Sequence, residues 1–244
     1  MYTMIAGTTP ALTYAGEYLL KAGIQVIHSF RWDVSHLLLD VPSFRPGGLD
    51  PNTMLSSLPR DITVWGGNLD HPALNGYHCV DFLKDEKYLT ENAAITADCT
   101  LDLMEPLMQT SLQGNNILII GWGRIGKSLA TKLKDRGCIV TVAARKDSDR
   151  TRLADLGFLT MYTEHLKVGT DNFDAIINTV PAMILRKEQQ IGRKSCIKID
   201  LATKRGIEGE NVIWARGLPG KYAPEKSGKL IAETFLRILK EGEK

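Results

Sequence analysis

The chain has 244 residues, 43% of them hydrophobic and 24% charged, with 30 basic against 28 acidic side chains for a formal net charge of +2. This is ordinary globular composition, which excludes collagen-like, coiled-coil and disordered classes and leaves room for one or two domains with proper cores. No apolar run is long enough to span a bilayer, and the start lacks the basic-then-apolar pattern of a secretion signal, so a cytoplasmic protein is expected. The charge is uneven: residues 1–110 hold 6 basic and 13 acidic side chains, residues 111–244 hold 24 and 15. A basic second half suits an anionic ligand such as a nucleotide, while the lack of basic runs with interleaved aromatics argues against nucleic acid. Cys79, Cys99, Cys138 and Cys196 form no CxxC or Cys/His cluster, so reduced thiols rather than a disulfide framework or a metal site are expected.

Tyr2–Ala6 reads as a strand, and the turn Gly7-Thr8-Thr9-Pro10 leads into a helix over Ala11–Lys21. Leu12, Ala15, Leu19 and Ala22 share one face of it, and Gly23 ends it. Ile24–Ile27 is then a second strand, parallel to the first across a β-α-β unit. Prolines and glycines punctuate residues 33–60, where only a short strand at Leu37–Val41 is expected. Strands return at Ile62–Trp65 and Cys79–Phe82, and a helix carrying Pro106 is expected over residues 91–111.

The second half alternates more cleanly. Strands are expected at Asn116–Ile120, Ile139–Ala144, Phe158–Met161, Ala175–Asn178, Cys196–Leu201 and Val212–Ala215, and helices at Arg124–Arg136, Ser148–Leu156, Ala182–Gln190 and Pro224–Lys240. Near-continuous apolar strands separated by helices imply a parallel sheet. The expected fold is α/β: a Rossmann doubly wound parallel sheet preceded by a smaller, truncated, flavodoxin-like α/β domain and joined to it by a long helix. Expected boundaries are 1–92 for the small domain, 93–223 for the dinucleotide-binding domain with its connector, and 224–244 for a closing helix that returns to the first domain.

Gly121-Trp122-Gly123-Arg124-Ile125-Gly126 matches GxGxxG in the context the motif needs, directly after a strand and opening a helix. Gly121 permits the tight turn, Gly123 lets a pyrophosphate approach the backbone, and Gly126 allows close helix–strand packing. The unpaired N–H groups at the helix start face the phosphates. An NAD site carries Asp or Glu about 20 residues further on, at the end of the second strand. Here Arg145 stands 19 residues after Gly126, followed by Lys146, with Arg150 and Arg152 nearby. A guanidinium cannot accept from ribose hydroxyls but pairs with a 2′-phosphate, so NADP is expected, with NAD as the alternative should Asp147 reach the ribose. Asn178-Thr179-Val180-Pro181 and Asp200-Leu201-Ala202-Thr203-Lys204 follow two strands of the same sheet, where they either line the nicotinamide pocket or serve as plain connections. Gly217-Leu218-Pro219-Gly220-Lys221 reads as a rigid turn.

Together these segments resemble the dipicolinate synthase A family, akin to the NAD-binding part of D-2-hydroxyacid dehydrogenases. The Gly217–Pro224 stretch is similar to the family's Gly-Leu-Pro-Gly…Ala-Pro-Lys, and Asp200–Lys204 to its Asp-Leu-Ala-Ser-Lys. Asn92…Thr96-Ala97-Asp98 is similar to the start of its connecting helix. The resemblance covers about residues 91–240. It implies a pyridine-nucleotide oxidoreductase of spore-forming bacteria that oxidises a dihydrodipicolinate-type cyclic dicarboxylate to dipicolinate during sporulation, with the small, flavoprotein-like dipicolinate synthase B as partner; a homo-oligomer is expected as well. Lys204 and Lys221 are then candidates for the two carboxylates, with Asn92 and Thr96 as polar contacts. The first 90 residues depart from the pattern: the family's Gly-Gly-Asp-Ala-Arg turn is replaced by Gly7-Thr8-Thr9-Pro10-Ala11, which removes an acid and a cation. Two further readings stand beside this one, a D-2-hydroxyacid dehydrogenase-like enzyme and a non-catalytic nucleotide-binding sensor or accessory protein. None of His28, His36, His71, His78 and His165 lies in an Asp-His or Glu-His motif, so no catalytic residue is assigned.

Overall fold

In a computed structural model, the protein is described over residues 2–45, 48, 50, 54–55, 58–108, 111–166, 172–189 and 195–242. The chain forms two compact units, Met1–Ile95 with Pro219–Lys244, and Thr96–Leu218.

The first unit is built on five parallel strands: β1 (Tyr2–Ala6), β2 (Gln25–Ile27), β3 (Val34–Leu39), β4 (Thr63–Gly66) and β5 (His78–Asp81), in the order β2-β1-β3-β4-β5. That is the flavodoxin-like order, so the shortening expected in this unit removes no strand. What is missing is the helix between β2 and β3, whose connection at residues 28–33 contains only bends and a turn. The strand expected at Leu37–Val41 begins three residues earlier and stops before Asp40. Helix α1 (Pro10–Lys21) starts at Thr9, whose hydroxyl accepts from the Leu12 N–H, with Pro10 in the first turn where its missing donor costs nothing.

One face of this sheet is covered by α1 and the final helix, which together bury Leu12, Leu19, Ile231 and Phe235 against Ile5, Leu38, Trp65 and Phe82. Each such large side chain contributes about 1.5–3 kcal/mol through burial. The two helices cross closely at Gly228, where a Cβ would lie 2.5 Å from the Ala11 carbonyl oxygen. Arg237 adds a 2.7 Å ion pair to Asp85. The opposite face buries Leu37, Leu39, Val64, Leu58 and Tyr77.

His36 sits in the first core, 8% exposed, and its Nδ1 accepts from the Trp65 indole N–H at 3.1 Å. Burial, followed by the positive chain terminus, holds its pKa below the ordinary value. A group whose folded pKa is depressed in this way binds its proton more readily in the unfolded chain. Its contribution to stability is therefore complete above the unfolded value near pH 6.5 and is lost as pH falls below that. We expect the melting temperature to drop between pH 7 and pH 5, and to drop less in His36→Gln; thermal melts across that range check it.

Helix α2 (Glu86–Met104) begins five residues earlier than expected because Asp85 caps it: the Asp85 carboxylate accepts from the Tyr88 N–H at 2.7 Å. It ends before Pro106, which lies in a 3-10 turn at Glu105–Leu107 instead of kinking a longer helix. Residues 109–110 of the expected helix lie outside the described residues.

The second unit holds β6 (Asn116–Ile120), α3 (Arg124–Asp135), β7 (Ile139–Ala144), α4 (Asp147–Asp155), β8 (Leu159–Tyr162), β9 (Ala175–Asn178), β10 (Ile197–Asp200) and β11 (Val212–Trp214). Its strands are all parallel in the order β11-β10-β9-β6-β7-β8, the doubly wound Rossmann arrangement in which the order reverses between β6 and β9. Lys132 of α3 pairs with Asp98 at 2.7 Å, tying in the C-terminal half of α2. The chain then ends in a short helix α5 (Leu218–Tyr222) and α6 (Pro224–Gly242). A short helix thus replaces the rigid turn expected at 217–221, although Gly217 does adopt a positive φ of 70°.

The helix expected at Ala182–Gln190 does not form over its described residues, 182–189. The Ile184 and Leu185 N–H groups donate instead to the Gly206 carbonyl at 2.8 and 3.0 Å, and Leu185 forms a parallel bridge to Ile207. Pairing with a distant segment wins over the local pattern, and Leu185 and Ile207 cover Leu118 and Ile176 where a helix would otherwise have packed.

Candidate dinucleotide site

The glycine turn lies at the carboxyl end of β6, where the strand order reverses. Gly121 has φ 104°, a backbone shape that favours glycine, and a Cβ there would lie 2.5 Å from Thr179 Oγ1. A Cβ on Gly126 would lie 2.2 Å from the Gly121 carbonyl oxygen, so helix and turn pack too closely for any side chain. Gly123 differs: a Cβ there would meet nothing within 4 Å. It is the N-cap of α3, in extended conformation and without a side-chain cap, and the first turn contains no acid. The first N–H groups of a helix lack partners within it and carry partial positive charge, so this exposed rim is suited to an anion that approaches the backbone.

The neighbouring loop is locked to this turn. Thr179 donates from its hydroxyl to the Ile120 carbonyl at 2.9 Å, and its N–H donates to the same oxygen at 2.9 Å. Asn178 and Asp200, at the ends of β9 and β10, are both 0% exposed. Asn178 Nδ2 donates to Asp200 Oδ1 at 2.9 Å and to the Val180 carbonyl at 3.0 Å, and Asn178 Oδ1 accepts from the Val180 N–H at 3.0 Å. Asp200 also accepts from the N–H groups of Ala202 at 3.1 Å, Gly206 at 2.6 Å and Ile207 at 3.0 Å. Their side chains are thus turned inward and shape the loops; the surfaces those loops present are Thr179 and Val180, half-buried, and Pro181, exposed.

Trp122 is half-buried, edge-on to Phe158 with ring centroids 5.9 Å apart, and its buried indole N–H has no hydrogen-bond partner. Arg124 is exposed and Ile125 half-buried. Arg145 and Lys146 follow β7 and are exposed, one strand from the glycine turn. Arg150, expected among the cations for phosphate, faces the other way. It is 7% exposed, donates to the Ala144 carbonyl at 2.6 Å and the Arg145 carbonyl at 2.9 Å, pairs with Asp147 and stacks on Tyr162. It caps β7 and shapes the loop that carries Arg145.

Of the proposed substrate contacts, Lys204 is exposed in the loop after β10, in the second unit. Thr96 is 7% exposed on α2, and its carbonyl accepts from the Thr100 hydroxyl. Asn92, half-buried, and Lys221, exposed on α5, belong to the first unit.

Sequence reasoning misses a polar cluster at the carboxyl edge of the first sheet. Asp40, 4% exposed, accepts from the Thr8 N–H at 2.9 Å, the Thr9 N–H at 3.2 Å, the Thr9 hydroxyl and Arg45 Nη2 at 3.2 Å. Its signal is a single acid placed directly after the apolar run Leu37-Leu38-Leu39. Among the described residues no group of three or more His, Cys, Asp or Glu is placed to hold a metal ion, and no helix is long and apolar enough to cross a membrane. The four cysteines form no disulfide with one another, and Cys99 and Cys138 are buried.

Residues 89–190 match the family of the D-isomer specific 2-hydroxyacid dehydrogenase NAD binding domain. Dipicolinate synthase A of Bacillus subtilis (strain 168) is 29% identical over 160 residues, which are 62% of this chain and 54% of that protein. The match thus spans about half the length of that relative. Crystal structures of dipicolinate synthase A from Bacillus halodurans and from Bacillus subtilis superpose with TM-scores of 0.83 and 0.79 at 21% and 20% identity, covering 98% and 99% of this chain and 97% and 96% of theirs. The glycine turn, its strand-end context and these matches agree: the chain is similar to dipicolinate synthase A in sequence and fold, and residues 89–190 are similar to the NAD binding domain of D-isomer specific 2-hydroxyacid dehydrogenases.

Proposed function

We propose that this protein is an NADP-dependent oxidoreductase of the dipicolinate synthase A type, which oxidises a dihydrodipicolinate-type cyclic dicarboxylate to dipicolinate. The observation that carries the cofactor choice is the end of β7, where Arg145 is exposed and no acid stands at that position. The residues fit a dinucleotide: Gly123 leaves open space at an uncapped helix start, and Thr179, Val180 and Pro181 lie on the adjoining loop. Bound NADP would supply the hydride acceptor. The N–H groups opening α3 would hold the diphosphate, Arg145 and Lys146 would engage the 2′-phosphate, and Thr179 and Val180, on the loop fixed by Asn178 and Asp200, would contact the nicotinamide part. Removal of a hydride and a proton makes the substrate ring aromatic, so the chain's main task is to orient it. Lys204 and Lys221 are the proposed cations for its carboxylates, with Asn92 and Thr96 as polar contacts. The flavoprotein-like partner dipicolinate synthase B and a homo-oligomeric state, together with a cytoplasmic role in sporulation, belong to the same proposal.

Titration with NADPH and NADH tests it. We expect NADPH to bind at least tenfold more tightly, and Arg145→Ala to remove about 1.5–3 kcal/mol from NADPH binding only, the range for a hydrogen bond to a charged group. Equal affinity for the two dinucleotides would overturn the NADP assignment. Conversion of dihydrodipicolinate, with and without the flavoprotein-like partner, tests the reaction.

A further inference from the structure

In the first sheet the strand order reverses between β1 and β3, and open α/β sheets bind ligands in the crevice outside the carboxyl ends at such a point. Three loops meet there in a fixed arrangement. Asp40 joins the β3 loop to Thr8 and Thr9 after β1 through the bonds given above. Ser43 joins it to the β4 loop: its N–H donates to the Gly67 carbonyl at 2.7 Å, and its hydroxyl oxygen accepts from the Gly67 N–H at 3.1 Å. The packing leaves no slack, since a Cβ on Gly7 would lie 2.7 Å from the Asp40 carboxyl and one on Gly66 2.3 Å from Ser43 Oγ.

Arg45 is held at the rim of this edge by one nitrogen. Its Nη2 donates to Asp40 Oδ2 and to Thr8 Oγ1, each at 3.2 Å, while its side chain stays 38% exposed. Asp40 is not a free base: both its oxygens are already engaged by Thr8, Thr9 and Arg45. The other cations of residues 1–110 lie elsewhere. Lys21 ends α1, Arg31 stacks on Tyr2 at the start of β1, Arg60 stacks on Tyr77 just before β5, and Lys84 and Lys87 follow β5, two strands from the crevice. In a stretch with 13 acids and 6 cations, one guanidinium is thus fixed where the topology opens a ligand site.

We infer that Arg45, held by Asp40 and Thr8 at the β1/β3 edge, binds a carboxylate of the substrate. The guanidinium fork matches a planar carboxylate, and anchoring one nitrogen orients the remaining donors in advance. The inference rests on the dicarboxylate reading above and adds a residue to it.

The test uses the full chain with pyridine-2,6-dicarboxylate as probe, in metal-free buffer with NADPH present, followed by calorimetry. Wild type is expected to bind the probe in preference to inorganic phosphate. Arg45→Ala should weaken the probe at least tenfold, Arg45→Lys less, and NADPH affinity should change less than twofold in both. Should Arg45→Ala fail to fold, Thr8→Val decides: threefold or greater weakening of the probe with unchanged NADPH affinity supports the assignment, and unaltered probe binding overturns it. Wild type that ignores the probe, phosphate that binds equally well, or Arg45→Ala that binds the probe like wild type also overturns it. Wild type that takes up the probe but no NADPH sinks the oxidoreductase proposal and leaves Arg45 to be judged on the probe alone.

Discussion

Gly123→Ala is expected to fold as stably as the parent protein yet bind NADPH at least tenfold more weakly, whereas Gly126→Ala loses both stability and cofactor. The contrast follows from what each new methyl group would meet. At Gly123 it meets nothing within 4 Å, so the folded chain accommodates it, and only a ligand pressed against that backbone collides with it. At Gly126 it lies 2.2 Å from the Gly121 carbonyl oxygen, and relief requires α3 to move off the strand. Overpacking of this kind costs about 1–3 kcal/mol and more where backbone is the obstacle. Denaturant melts and NADPH titration of the two variants check it. If Gly123→Ala bound NADPH as tightly as the parent, the diphosphate would not lie at this turn.

Asp200→Ala carries the largest stability loss we expect, about 3–5 kcal/mol. The substitution strips the acceptor from three backbone N–H groups and from the Asn178 amide, all in a buried setting. An unsatisfied buried donor costs about 1–3 kcal/mol, and several share one site here. Asp200→Asn should be milder, because the amide oxygen still serves part of the set while its NH2 confronts a donor. Cofactor affinity should fall in both through the displaced Thr179–Pro181 loop. Chemical denaturation at pH 7 gives the first quantity and NADPH titration the second. A loss below 1 kcal/mol for Asp200→Ala would mean that the network does not organise these loops.

The parallel sheets are legible in the sequence because their strands are short apolar runs between polar or glycine residues: Ile117–Ile120 and Ala175–Ile177 are buried throughout, as continuous hydrophobic strands in a covered sheet must be. The glycine turn is legible because each glycine answers a local steric demand. Long-range partners are not legible. The stretch 182–189 has the composition of a helix, yet its Ile184 and Leu185 amides donate to the Gly206 carbonyl and Leu185 bridges to Ile207. Arg150 shares the sequence neighbourhood of Arg145 and faces inward, a difference set by the helical phase of α4 and by the carbonyls that β7 leaves at its end. Asn178 and Asp200 resemble ligand contacts because they sit at strand ends; burial turns them into scaffolding. Asp40 does not stand out in the sequence, since its partners Thr8 and Thr9 lie more than thirty positions earlier in the chain.

Because α6 completes the core that β1, β3 and α1 begin, the first unit is discontinuous and the second is inserted within it. On the ribosome, the nascent chain therefore presents the apolar surface of Ile5, Leu12, Leu38 and Trp65 long before Ile231 and Phe235 are translated to cover it. The inserted unit is synthesised in full during that interval, so it can acquire its native form while the earlier part still waits for its lid.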